Sequence, residues 1–367
     1  MGKYLKEFEL ISQYEEYINS DMAILPNVSI INDINGVYYN PKVPNYLKFV
    51  AEEDNSTISL NSKTSPDIKY SLNGGDWTQW DYSAITLNTG DTLRMKGNNS
   101  NGFSTSNSSY NQFQMTGKIG ASGNIMSLLY EDDYEGKLTI PCDYCFYDMF
   151  RGCAALTPAP ELPATTLADY CYQEMFSGCA ALTTAPELPA TSLAYSCYQA
   201  MFSDCAALTT APELPATTLT NSCYYGMFMN CSALTTAPEL PATTLTNSCY
   251  QEMFSGCKSL TVAPVLPATT LMVRCYSSMF MNCSALTTAP ELPATTLARY
   301  CYLSMFLRCT NLNYIKMLAT DISVTNCLNT WVTGVSSTGT FVKDPNMTSL
   351  PTGDSGIPEG WTVQDAA

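Results

Sequence analysis

Cys145, Cys171, Cys197, Cys223, Cys249, Cys275, Cys301 and Cys327 stand 26 residues apart in a chain of 367. A second series, Cys153, Cys179, Cys205, Cys231, Cys257, Cys283 and Cys309, keeps the same 26-residue step. Met149, Met175, Met201, Met227, Met253, Met279 and Met305 form a third column, and the Phe after each a fourth. A period of this length means units too small to fold alone, each burying its apolar side against the next. The expected fold is therefore an α/β solenoid with a 26-residue period.

Two textures alternate within a unit. Cys171, Tyr172, Met175, Phe176 and Cys179 recur at helix-like offsets, which predicts a helix over 171–179. Gly178, or Asn230 in its own unit, suits a C-terminal stop. Leu182–Ala185 then reads as a very short strand. Pro186 and Pro189 follow, and prolines lack the donor a parallel ladder needs, so Pro-Glu-Leu-Pro should run extended without pairing. The stretch ATSLAYS carries the chain back to the next unit.

The two cysteine series hold all but Cys142 of the 16 cysteines. On a helix, cysteines eight positions apart lie about 12 Å from each other, too far for a disulfide. Equivalent cysteines on packed helices would be about 8–10 Å apart. The plain reading is two ladders of small buried apolar groups. Cys142-x-x-Cys145 has the short spacing of a metal-binding pair, but no second pair and no histidine complete it.

The pattern L..A.ELPATTL...CY..MF.GC..L over about 120–330 resembles the leucine-rich repeats of BspA type, also called the Treponema pallidum type. MFSGC stands where that family has A-F-x-x-C, and LP where it has I-P. This unit is longer, has the extra Pro186-type position and adds the first cysteine ladder. The opening SQYEEYINSDMAILPNVSIINDINGVYYNP and the closing WVTGVSSTGTFVKDPNMTSLPTGDSGIPEGWTV resemble the ends of repeat proteins of gut Bacteroidales and their tailed, crAss-like phages. That resemblance implies a virion or surface protein that binds something outside.

Outside the repeats the texture changes. Ser12-Gln-Tyr-Glu15 is a capping-box pattern, which places a short helix at 13–20. Asn35-Gly36 signals a hairpin. YLKFVA, STISL, IKYSL, SAITLN, TLRMK and NQFQM are short β-like runs split by turn residues, which predicts a small antiparallel β-sandwich. The expected organisation is an attachment segment over 1–44, the sandwich over 45–118, the solenoid with its N-terminal cap over 119–327, and a C-terminal cap over 328–367. Solenoid ends are apolar and need such lids.

Composition narrows the function. The net charge of −16, with 33 acidic against 17 basic residues, opposes sequence-independent nucleic-acid binding and anionic membrane surfaces, which call for clustered Lys and Arg. No apolar run is long enough to span a bilayer, and Glu7, Glu9, Glu15 and Glu16 interrupt any signal-peptide core. The chain has no histidine, the commonest general base. No P-loop or dinucleotide fingerprint appears, so neither an enzyme nor a cofactor is expected. The internal LPATT copies lack the glycine and apolar tail of a sortase signal.

The candidate ligand-binding residues are the column Glu161, Glu187, Glu213, Glu239 and Glu291, broken by Val265, together with Trp77 and Trp80. Duplication alone produces such an acidic stripe; the sharper reading is a binding strip, with cations between neighbouring carboxylates. The monotonous short-strand face beside it suits a repeating ligand such as a glycan, or simply reflects recent duplication. The two tryptophans suit a sugar platform, unless they fill the sandwich core. The resemblance implies a non-enzymatic phage appendage, a tail or head fibre or an associated receptor-binding protein. Its N-terminal segment would join other virion proteins, and its solenoid would touch host surface glycan or protein. Homo-oligomerisation fits that role, although no heptad run marks a coiled coil. A bacterial cell-surface adhesin of BspA-like type is the alternative.

Overall fold

The computed structural model describes residues 44–367. The helix expected at 13–20 and the Asn35-Gly36 hairpin lie outside the described residues. Strands dominate the regular structure that is described, and helix is confined to α1 (Ser127–Tyr130) and a 3₁₀ turn at Glu131–Asp133.

Residues 45–122 form two antiparallel sheets. The larger contains β1 (Leu47–Ala51), β3 (Lys69–Leu72), β4 (Thr78–Gln79), β6 (Thr92–Lys96) and β8 (Ile119–Ser122), in the order β4-β3-β6-β1-β8. The smaller contains β2 (Ser56–Ser62), β5 (Ile85–Leu87) and β7 (Asn111–Thr116), in the order β5-β2-β7. Alternation drives the pairing: Leu47, Phe49 and Ala51 of β1 are buried while Lys48 and Val50 between them are partly open. The Phe49 and Phe113 rings, 5.4 Å apart, join the two sheets. Strand β8 lies beyond the boundary expected at 118 and belongs to the larger sheet.

Past β8 the 26-residue units stack in register. The Phe rings at 150, 176, 202, 228, 254, 280 and 306 follow one another at 5.6–5.8 Å, with neighbouring planes within 10°. The Tyr rings at 172, 198, 224, 250, 276 and 302 form a parallel column at 5.8–6.2 Å. Each offset-stacked pair contributes about 0.5–1.5 kcal/mol beyond its area burial. Every Met and Cys of the repeat columns is buried as well.

The segment expected to be a helix is not one. Over 170–179 the backbone N–H groups alternate between two kinds of acceptor. Tyr170, Tyr172, Glu174, Phe176 and Gly178 donate to the next unit, at Tyr195, Cys197, Gln199, Met201 and Ser203. Cys171, Gln173, Met175, Ser177 and Cys179 donate three residues back. Tyr170, Glu174 and Gly178 hold φ of 57°, 54° and 76°, which breaks any helix at every fourth residue. The apolar spacing has a true period of four, and over nine residues this mimics the helical 3.6. Because each unit bonds its neighbour through the backbone, the rings stack far closer than the 8–10 Å of packed helices.

The proline column acts as expected in the interior units and not at the two ends of the row. Leu182–Ala185 and its copies make isolated parallel bridges, Thr184 to Thr210 and Thr236 to Val262; Pro-Glu-Leu-Pro makes no ladder, but its first and last copies make single bridges, Glu161 to Asn124 and Leu292 to Met317. In the last unit the matching stretch, Asn313-Tyr-Ile-Lys-Met-Leu318, has no proline, and β9 (Tyr314–Met317) forms there. It opens a parallel sheet with β10 (Thr340–Lys343) and β11 (Thr362–Asp365), in the order β11-β10-β9. Trp331, fully buried, lies 6.4 Å from the Tyr302 ring and 6.0 Å from the Phe306 ring, closing both columns. Residues 45–367 make up one contact unit.

Candidate functional site

The Pro-Glu-Leu-Pro runs lie side by side along one edge of the stack. Because prolines keep successive runs from pairing with one another, hollows remain between them. One of about 260 Å³ lies between Pro160–Pro163 and Pro186–Pro189. The next, of about 420 Å³, is bounded by Glu187, Pro189, Pro212 and Glu213. Another, of about 470 Å³, lies between Pro238–Pro241 and Pro264–Pro267. Each has proline walls and at least one carboxylate at its rim.

The five candidate glutamates all lie on this edge and are all exposed, but they are not equivalent. The Asn45 amide donates to both Glu161 oxygens, at 3.0 and 2.9 Å. Glu291 pairs with Lys316 at 3.0 Å. Glu187, Glu213 and Glu239 have no partner among the described residues. Val265 interrupts the row with its side chain 78% exposed. The open part of the strip is therefore three consecutive carboxylates, ended by a tied glutamate on one side and by an apolar step on the other.

The tryptophans do not form a platform. Trp80 is buried: its Nε1 donates to the Ser83 carbonyl at 2.9 Å, and its ring stacks on Phe113. Core packing removes it from the candidate ligand-binding set. Trp77 is half-buried, with the Tyr46 ring edge-on at 5.1 Å and Lys96 Nζ 4.7 Å above its own ring. Lys96 also bonds both Asp132 oxygens at 2.8 Å, and Lys69 pairs with Glu131 at 2.6 Å. Those bonds from Lys96, and then from the Tyr46 hydroxyl, hold the Asp132 carboxyl below its ordinary range. Burial, and then Asp132, push the Tyr46 hydroxyl up. This cluster ties the 3₁₀ turn to the larger sheet.

A row of tyrosines on the first units was not singled out from sequence. Tyr144 and Tyr170 stack at 4.4 Å, and Tyr195 meets Tyr170 edge-on at 5.1 Å. Burial and the two neighbouring hydroxyls push Tyr170 up to about 12. The signal was present, since Tyr144 and Tyr170 are one period apart, but the column lapses at Ser196 and shifts to Tyr195.

Among the described residues no group of three or more His, Cys, Asp or Glu is placed to hold a metal ion. No helix there is long and apolar enough to cross a membrane. No family model, curated protein or solved structure matches the chain.

Proposed function

We propose that the chain is a non-enzymatic virion appendage, built as a leucine-rich-repeat-like solenoid behind a small β-sandwich. It contacts a host surface glycan or protein along its Pro-Glu edge. The observation that carries this reading is the recurrence of one kind of hollow, proline-walled and carboxylate-rimmed, between successive units. Similar sites repeated along one row suit a ligand that itself repeats, because weak contacts on one stiff body add through effective concentration. Unpartnered Glu187, Glu213 and Glu239 offer acceptors to hydroxyl groups without breaking any internal bond. In this reading residues 1–44 join the chain to other virion proteins.

The test is binding of the purified chain to intact gut Bacteroidales cells, before and after enzymatic removal of surface polysaccharide. Binding lost on removal, and weakened at least tenfold by a combined Glu187→Gln, Glu213→Gln, Glu239→Gln variant, is the expected result. Binding to none of the strains, or absence of the chain from purified particles, would overturn the reading and leave the repeats as a spacer.

A further inference from the structure

Fifteen of the 16 cysteines are buried; Cys142 is the exception, partly open to solvent. It lies three residues before Cys145, which opens the first repeat column and is fully buried. Both cysteines fasten onto the backbone of Ser104. The Ser104 N–H donates to the Cys145 carbonyl at 2.8 Å, and the Cys142 thiol donates to the Ser104 carbonyl at 3.5 Å. Ser104 belongs to the polar loop between β6 and β7. Gly102 of that loop, at φ +124°, leaves the space the thiol fills, since a Cβ there would lie 2.2 Å from Cys142 Sγ.

We propose that Cys142 and Cys145 are a redox-active dithiol, with Cys142 the attacking thiol and Cys145 the resolving one, which closes to a disulfide on reaction with a low-molecular-weight disulfide. Four-residue turns bring their first and last Cα atoms within about 7 Å, inside the reach of a disulfide. The electronic asymmetry agrees with the assigned roles. The Cys145 thiol, hydrogen-bonded to Cys142, lowers Cys142 from its ordinary value. Burial, then that same bond, raise Cys145 well above its own. The remaining cysteines are also raised, with burial the first cause in Cys171, Cys205 and Cys257. Thiolate character and access therefore coincide at Cys142.

The exchange balances in two steps. The Cys142 thiolate attacks one sulfur of the small disulfide; its S–S bond breaks, a mixed disulfide forms on Cys142, and one small thiolate leaves and takes a proton from water. Cys145 then gives up its proton and attacks Cys142 Sγ; the Cys142–Cys145 bond forms and the second small thiol departs. Two electrons pass from the protein dithiol to the small disulfide. The product no longer has a Cys142 S–H to donate to Ser104, so that bond to the loop is lost while the Ser104 N–H bond to Cys145 can persist.

The test exposes the folded full-length chain to graded glutathione disulfide, followed by acid quench, denaturing alkylation and peptide mapping. The expected product has one disulfide, between Cys142 and Cys145, and 16 − 2 = 14 alkylatable thiols. Cys145→Ser should accumulate the glutathione adduct on Cys142, and Cys142→Ser should give neither adduct nor disulfide. Brief alkylation of the folded wild-type chain supplies a check that needs no variant, and should label Cys142 alone. Labelling of a ladder cysteine at the same rate, or a full set of 16 thiols after oxidation, would overturn the proposal.

Discussion

The Cys153 thiol donates to the Phe113 carbonyl at 3.3 Å, and the Phe113 ring stacks on Phe150 at 5.3 Å and 12°. Six further pairs repeat that bond between a ladder cysteine and a phenylalanine 29 residues earlier, from Cys179 with Phe150 at 3.2 Å to Cys309 with Phe280 at 2.9 Å. Phe113, on a sheet strand, thus takes the place of a phenylalanine from a unit before the first. Its N–H also donates to the Met149 carbonyl, as the Phe150 N–H does to that of Met175. The small sheet caps the stack by supplying the groups a preceding unit would have offered.

Phe113→Ala should therefore destabilise the sheets and the first units together. The expected loss is about 3–5 kcal/mol, the range for a fully buried phenylalanine. Urea unfolding followed by circular dichroism measures it. A loss near zero would mean that the stack does not lean on the cap.

Alkaline stability should fall steeply. Cys205, Cys257 and Cys309, with an ordinary value of 9.0, are pushed up to about 12 by burial. The folded chain keeps these protons where the unfolded chain releases them, so their contribution is full below about pH 9 and disappears as pH rises toward about 12. The column tyrosines, also raised by burial, act in the same direction. The melting temperature should hold steady to about pH 8 and drop above about pH 9. Tyrosinate absorbance from the column should appear only with unfolding.

Asp148 works against the fold at neutral pH. It is 3% exposed, one carboxylate oxygen has no partner, and burial followed by Glu174 raises it from 3.8 to about 6. Arg151, 3.3 Å away, offsets part of that. The folded chain holds the proton between those values and the unfolded chain does not, so stability declines as pH rises from about 4 to about 6. Asp148→Asn, which tolerates the φ of 55°, should stabilise by about 1–2 kcal/mol at neutral pH. Thermal melts of both proteins across that window should show the wild-type slope flattened in the variant.

Position 178 and its copies all have positive φ, and the chain fills them with Gly152, Gly178, Asp204, Asn230, Gly256, Asn282, Arg308 and Gly334. Arginine fits this conformation worst of these. Arg308→Gly should stabilise by about 1 kcal/mol. Gly256→Ala should cost about 1 kcal/mol, since a Cβ is strained at its φ of 79°. Denaturant midpoints measured on the two variants should move in opposite directions.

Much of this architecture can be read from residue order alone. The columns at Cys171, Tyr172, Met175, Phe176 and Cys179 announce equal units with one shared core, and Pro186 and Pro189 announce an edge that cannot pair. Both follow from local facts, a period and a missing N–H, that hold in any surroundings. The conformation of 170–179 could not be read in this way, because offsets of four and of 3.6 place the same side chains inward over so short a run. Hydrogen bonding to the next unit decided it, an option open only once a neighbour is stacked alongside. The same holds at the sites. Glu161 and Glu187 occupy one column and look alike in sequence, yet Asn45, 116 positions away from Glu161, holds one and leaves the other open. Trp77 and Trp80 also look alike, and the rings of Tyr46 and Phe113 decide which is half-open and which is buried. Periodicity and proline chemistry act along the chain and are visible there; partners brought in from distant residues are not, and they select which of the repeated groups remain free to act.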